Sequence, residues 1–175
     1  GCGTGRETIS AGRGFGDNAT IVGLDLSRAS LAYAARMADR YKVRNLRLLQ
    51  GDILDLAALD EAFGVIICGG VLHHMAEPER GWRTLVERLR PGGIMRIGLY
   101  SETARRELPH FHADLENCPA SEEAQIIRER RHRLMRQSTA AEREERFLFC
   151  KDFFSTSTCR DLLFHVEEHC FTIPE

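Results

Sequence analysis

Three glycines within five residues, Gly1-Cys2-Gly3-Thr4-Gly5, make a tight turn whose backbone tolerates positive φ and close approach. At the mouth of a parallel sheet, with a helix following, such a turn can lie against a nucleotide or nucleoside. Asp25 follows Gly5 by 20 residues, at the end of the next strand-like run, where a carboxylate can accept from both ribose hydroxyls. A glycine cluster alone is an ordinary turn and a strand-end Asp an ordinary cap. Their pairing at this spacing is what points to a nucleoside. Asp52 stands between the LRLLQG run and Ile53-Leu54. It either accepts from an adenine amino group, with the aliphatic neighbour over the ring, or makes a turn with Gly51. Cys68-Gly69-Gly70-Val71-Leu72-His73-His74 closes another apolar run. Two glycines at a carboxyl edge leave room and free carbonyls for a ligand's charged amine. His73 or His74 can remove a proton from a hydroxyl, an amine or an acidic carbon, or be satisfied by nearby backbone. His73 is the candidate catalytic base. Adjacent histidine side chains diverge and no third ligand is near in sequence, so no metal site is assigned.

Elements that position these residues alternate through the first hundred positions at intervals suited to parallel βα units. TIVGLDL (20–26) is a buried strand ending in Asp25. Ser27 caps a helix over 28–41, with Leu31, Ala34, Ala38 and Tyr41 at helical spacing. LRLLQ (46–50) and FGVIIC (63–68) are further strands, the latter apolar throughout. Pro78 opens a helix over 79–89 with Trp82, Leu85 and Leu89 as its buried stripe, stopped by Pro91-Gly92-Gly93. The strand at 94–99 completes half of an open doubly wound α/β sheet. Past Tyr100 the pattern changes, and 101–120 reads as irregular. A helix over 122–137 carries Ile126, Ile127, Leu134 and Met135 with five arginines on or near the other face. Residues 142–150 are either that helix continued or a second one, and a further helix at 159–168 is capped by Thr158 with Asp161 and turns Leu162, Leu163 and Val166 inward. Two segments follow: 1–100, a cofactor-binding core of charge +2, and 101–175, a helical, substrate-side part of charge −4. So small a shift in charge reads as an insertion packed on the core.

GCGTG, VGLDLS, LQGDI, CGGVLHHM and LRPGG together resemble the class I S-adenosylmethionine-dependent methyltransferases. GVLHHM, LRPGGIMRIGLYS and RDLLFHVEEHCFT are similar to bacterial methyltransferase domains found with tetratricopeptide repeats. The resemblance implies a Rossmann-like sheet and S-adenosylmethionine as cofactor. Gly1, Gly3 and Gly5 would hold its methionine part and ribose, and Asp25 the ribose hydroxyls with Leu26 against the adenine. Asp52 and Ile53 would hold the adenine ring, Gly69 and Gly70 would offer backbone to the methionine amine, and Val71 would begin the substrate wall. A sulfonium is already a good methyl donor, so the protein must mainly align a nucleophile and exclude water. Tyr100, Arg105, Arg106, His110 and His112 are candidates for the substrate side, the arginines for an anionic substrate or as a solvated face. Arg160-Asp161, His165 and His169 close the pocket or pair with one another.

Two departures stand out against the family. The strand that should run into the glycine loop and the last two strands of the sheet are absent from this sequence, which leaves the sheet incomplete. A nicotinamide-dependent oxidoreductase needs a third glycine where GCGTGR has Arg6, and it accounts for neither Asp52 nor GGVLHH. The other alternative is a non-catalytic binding or scaffold domain. CGGV stands where nucleic-acid amino-methylases carry an Asn/Asp-Pro-Pro motif. With 24 basic and 26 acidic residues the charge is −2, so no nucleic-acid or anionic-membrane partner is expected. The expected acceptor is a small molecule or a protein, and the resemblance implies a possible tetratricopeptide-repeat region in the parent protein. Cys2 in a glycine loop and Cys68 ending an apolar run do not suggest a stapled fold. The six cysteines read as free thiols in a reducing, cytoplasmic compartment. No apolar stretch approaches the roughly 18 residues of a spanning helix.

Overall fold

Apolar runs ended by glycine or acid become strands, and the alanine- and arginine-rich stretches between them become helices. The computed structural model describes residues 1–106, 108, 111, 114–115, 118–143, 147, 151–165 and 167–172. It divides the chain into two units, Gly1–Leu99 and Tyr100–Glu175.

In the first unit the order is α1 (Arg6–Phe15), β1 (Ile21–Asp25), α2 (Arg28–Arg40), β2 (Leu46–Gln50), β3 (Phe63–Gly69), α3 (Pro78–Glu87) and β4 (Leu89–Gly98). Short 3-10 helices lie at Gly16–Asn18, Ile53–Ala58 and Leu72–His74. The strands form two parallel pairs. β1 runs beside β2, with Ile21 opposite Leu46 and Asp25 opposite Gln50. β3 runs beside β4, from Phe63 opposite Leu89 to Gly69 opposite Gly98.

Ser27 caps α2 as its residue type demands, its side-chain oxygen accepting from Ser30 N at 3.2 Å. Leu31, Ala34 and Ala38 are buried, but Tyr41 is 51% exposed. It is the C-cap residue, and the chain leaves through a left-handed Lys42 (φ 57°), so the helical stripe ends before it. α3 differs in the same way. Gly81 and Leu85 are buried, whereas Trp82 is 41% exposed. A Cβ on Gly81 would lie 2.7 Å from Met75 Sδ. The glycine therefore makes the close contact, and Trp82, about 100° further round the helix, faces outward. The helix stops at Glu87, and Leu89 begins β4. Pro91-Gly92-Gly93 thus interrupts a strand and not a helix. The register slips between Phe63 and Val65, so Pro91-Gly92-Gly93 sits in a bulge with Gly92 at φ +77°.

Ile53, Leu56, Cys68, Leu72 and Leu85 form this unit's core, with Ile66, Met95 and Ile97 packed on it. On the other face of the same strands Val65, Ile67 and Ile94 are exposed.

The second unit holds β5 (Tyr100–Ser101), α4 (Glu102–Arg105), α5 (Ala120–Gln137), α6 (Ala140–Arg143), α7 (Thr156–Leu163) and β6 (Cys170–Phe171). Its two strands pair in parallel, Tyr100 opposite Cys170. Ile127 of α5, Leu162 and Leu163 of α7, Cys159, Phe164 and the stacked Phe147–Phe153 pair make the core. α7 starts and ends earlier than its sequence suggests. Ser155 caps it, accepting from Thr158 N, while Thr158 Oγ1 donates to Asp152 O at 2.7 Å. It stops at Leu163, so Glu168, expected on the helix, lies beyond it and pairs with Arg105. α6 overlaps the start of the helical stretch expected at 142–150. Positions 144–146 and 148–150, with Cys150, and His110, His112 and Val166 lie outside the described residues. Cys2, Cys68, Cys118 and Cys170 are free thiols. Among the described residues no helix is long and apolar enough to cross a membrane, and no three His, Cys, Asp or Glu side chains group as metal ligands.

Candidate functional site

A notch in β1 seats the glycine loop. A Cβ on Gly23 would lie 2.9 Å from Leu48 Cδ2 and 3.1 Å from both Cys2 Sγ and Thr8 Cγ2. The residue without a side chain lets the loop and α1 rest on the strand. Cys2 N donates to Leu24 O at 2.8 Å, and Gly5 N donates to Cys2 O at 3.0 Å. Gly3 and Gly5 hold φ of +52° and +80°, in the region that favours glycine. At Gly5 space forbids a side chain as well, since its Cβ would stand 2.7 Å from Ala34 Cβ of α2.

Asp25 closes the loop from below. Its Oδ2 accepts from Gly3 N at 2.6 Å and its Oδ1 from Ser27 N at 2.9 Å. Each carboxylate oxygen has more than one acceptor direction, so both can still take a hydroxyl. Gly51 N donates to Asp25 O at 3.1 Å, which sets Asp52 beside it. Asp52 Oδ1 accepts from Leu54 N at 2.9 Å and caps the 3-10 turn. Leu26 is 66% exposed just past β1, whereas Ile53 is 6% exposed within the core. On the far side Gly69 ends β3, and Gly70 has φ +72°. A Cβ added at Gly3, Gly69 or Gly70 would meet nothing within 4 Å. One at Gly1 would lie 2.5 Å from Val71 Cγ2, so the loop's first residue packs directly on the segment after β3. Gly1, Gly3, Gly5, Asp25, Asp52, Gly69 and Gly70 therefore gather at the carboxyl ends of β1, β2 and β3, around an open glycine-lined hollow.

His73 lies in the turn after Gly70 and is 1% exposed, its ring edge-on to His74 at 4.2 Å between centroids. His74 is half-buried. Cys2 is the member of the cluster that its residue type did not announce. Burial, and then the nearby Asp25 charge, push its thiol above the ordinary value of 9.0. The glycine in the middle of TIVGLDL was the available signal, because an interior strand glycine marks close backbone approach.

Candidates in the second unit are largely engaged with one another. Arg105 is 5% exposed; its Nε donates to Glu168 Oε1 at 2.6 Å and its Nη2 to Leu162 O at 2.8 Å. Its guanidinium stands 4.5 Å from the Tyr100 ring centre. Arg105 is thus a buried structural cation, not an exposed receptor for an anionic substrate. Arg106 pairs with Glu102, Arg160 with Glu123, and His169 Nε2 lies 3.9 Å from Glu167.

The profile of a methyltransferase-domain family matches residues 1–141. The chain belongs to that methyltransferase family. Similar proteins bear out the assignment. Trans-aconitate 2-methyltransferase of Deinococcus radiodurans is 36% identical over 97 residues, which are 55% of this chain and 34% of that protein. The glycopeptide N-methyltransferase MtfA, solved with sinefungin, is 30% identical with a TM-score of 0.50, covering 62% of this chain and 44% of its own. MtfA has also been solved with S-adenosyl-L-methionine and with S-adenosyl-L-homocysteine. The [4+2]-cyclase SpnF is 30% identical with a TM-score of 0.51, over 55% of this chain and 35% of its own. This methyltransferase-family chain therefore spans from about a third to under half of the length of these relatives.

Proposed function

We propose that the chain binds S-adenosylmethionine at the glycine-lined hollow and directs its methyl group to a small-molecule or protein acceptor. The observation that carries this reading is the Asp25 carboxylate bonded to the Gly3 amide at 2.6 Å, opposite the open Gly69–Gly70 edge. When bound, S-adenosylmethionine supplies a methyl group already activated on a sulfonium. The protein's own contribution is binding and alignment. Gly1, Gly3 and Gly5 offer backbone to the methionine part and ribose, and Asp25 accepts from the ribose hydroxyls. Leu26 and Ile53 flank the adenine, Asp52 accepts from its amino group, and Gly69 and Gly70 accept from the methionine ammonium.

Isothermal titration with S-adenosylmethionine, S-adenosylhomocysteine and NAD tests this. The first two are expected to bind and NAD to fail; binding of NAD alone would overturn the reading. Asp25→Ala is expected to weaken binding by about 1–3 kcal/mol, the scale of a lost charge-assisted hydrogen bond. An unchanged dissociation constant would remove Asp25 from the site.

His73 is the proposed base, taking the proton that a hydroxyl or amine acceptor loses as it gains the methyl group. Turnover should then fall on the acid side of a pH profile as the imidazole protonates. His73→Asn should lower turnover and flatten that limb, while His74→Asn keeps it. A His73→Asn enzyme with the parent's profile would end the proposal.

A second reading keeps the nucleoside site but not methyl transfer, and the likeness to a [4+2]-cyclase favours it. Cofactor binding without methylation of any acceptor would support that reading over the first.

Finer features belong to the same proposal. Among the described residues β1 and β3 each pair on one side only, and the family resemblance implies a further parallel strand between them and two more past β4. Hydrogen exchange should reveal fast amides along β1 and β3 in this chain and slow ones once such a strand is supplied. The resemblance alone supports a tetratricopeptide-repeat neighbour, and the cysteine pattern alone a cytoplasmic location, testable from the full-length sequence and by fractionation.

A further inference from the structure

The helical face of the first unit carries a groove that the cofactor cluster does not use. It lies between α1 and α2 and encloses about 700 Å³, within the range of small-molecule sites. Arg6, Ser10 and Arg13 line one wall and Tyr33, Met37 and Tyr41 the other. The spacings 6/10/13 and 33/37/41 put each trio on a single helix face. The close approach of Gly5 to Ala34 brings the helices together at one end.

The two rings are 44% and 51% exposed. Arg36 stands over Tyr33 and Arg13 over Tyr41, each 5.7 Å from the ring centre. These arginines hold the rings as platforms. Among the described residues lining the groove there is no carboxylate. Glu7, the acid of α1, pairs with Arg96 at 3.0 Å, and Asp25 is held by Gly3 and Ser27. A smaller cavity of about 290 Å³ shares Arg13 and adds Lys42 and Arg44 against Asp17. Residues 1–45 hold seven basic and four acidic side chains. The near-neutral total of the chain hides this local excess, and beyond about 10 Å other charges are screened at ordinary salt.

We propose that the α1–α2 groove is a second binding surface, for a nucleotide, apart from the cofactor cluster. The base stacks on Tyr33 or Tyr41, and the phosphate is received by the guanidinium groups of Arg6 and Arg13, whose planar forks match phosphate oxygens. Aromatic platforms beside a cationic track are the combination that holds nucleotide units without reading their sequence. The nucleotide comes either free or as part of a single RNA strand.

Two probes separate the sources: 5′-AMP by isothermal titration, and a fluorescein-labelled oligouridylate of about 12 nucleotides by anisotropy. Both are run on the full chain with S-adenosylhomocysteine present and absent. Binding that survives saturation with S-adenosylhomocysteine, or that occurs where S-adenosylhomocysteine itself does not bind, belongs to the groove, so this proposal and the cofactor reading fail separately. Arg6→Glu with Arg13→Glu should weaken binding by about tenfold or more, and Tyr41→Leu, which keeps the charge, by about fivefold or more. Arg83→Glu on α3, a charge reversal away from the groove, is the control and should change nothing. All these positions are on the surface, and unchanged circular dichroism confirms that the variants fold. AMP binding with the same losses assigns a free nucleotide; oligouridylate binding alone assigns a strand. Failure of both probes, parent-like binding by the groove variants, equal loss in Arg83→Glu, or displacement by polyglutamate with Tyr41→Leu unaffected would overturn the proposal.

Discussion

Cys2 and Asp25 share one corner of the cofactor hollow, and each alters what the other can do. Burial and the Asp25 charge raise the Cys2 thiol above 9.0, so the thiolate that reacts with iodoacetamide is scarce near neutrality. Alkylation of Cys2, followed by peptide mass spectrometry across pH, is expected to rise only above the range of an ordinary cysteine. Asp25→Asn removes one of the two main causes and should bring that rise to lower pH. The sign for stability follows from linkage. A thiol raised on folding stabilises the fold fully below pH 9.0, and that contribution is lost as pH climbs through the folded-state value. If the Asn variant alkylated with the parent's pH dependence, Asp25 would not be the charge that Cys2 feels.

Elements of the second unit are tied by an ion pair that joins α4 to the segment after α7. Arg105 and Glu168 are 5% and 7% exposed. Removing one partner leaves the other charged and buried, a change that typically costs about 3–5 kcal/mol. Glu168→Ala is expected to lower the circular-dichroism melting transition. Trp82, the chain's one tryptophan, reports only the first unit, and its emission should move less. Equal shifts in both signals would contradict a role confined to the second unit. This pair also explains what could be read from sequence and what could not. Caps and stripes are local, so Ser27, Leu31, Ala34 and Ala38 announced α2. Glu168 looked like a helical residue because its partner lies 63 positions away. Trp82 misled for a related reason: the buried position belonged to Gly81, whose fit depends on Met75 and not on its own hydrophobicity. That the glycine loop, Asp25, Asp52 and Gly69-Gly70 lie near one another was legible, because strand ends come together in a parallel sheet. The notch at Gly23 became clear only once Cys2 and Thr8 were seen lying on it.

Across the chain, summed charge and local charge tell different stories. A total of −2 argued against anionic partners, yet α1 and α2 present arginines with no acid between them. The same distinction applies to the first unit's framework. Its two strand pairs share no backbone hydrogen bond, and the glycine loop touches both: Cys2 holds the Leu24 carbonyl while Gly1 rests on Val71. The loop is therefore a clasp between two half-sheets, with the Glu7–Arg96 pair as a second fastening. A ligand seated in the hollow would act as mortar there. The half-sheets would then unfold as one body when it is bound and as two loosely joined leaves when it is not.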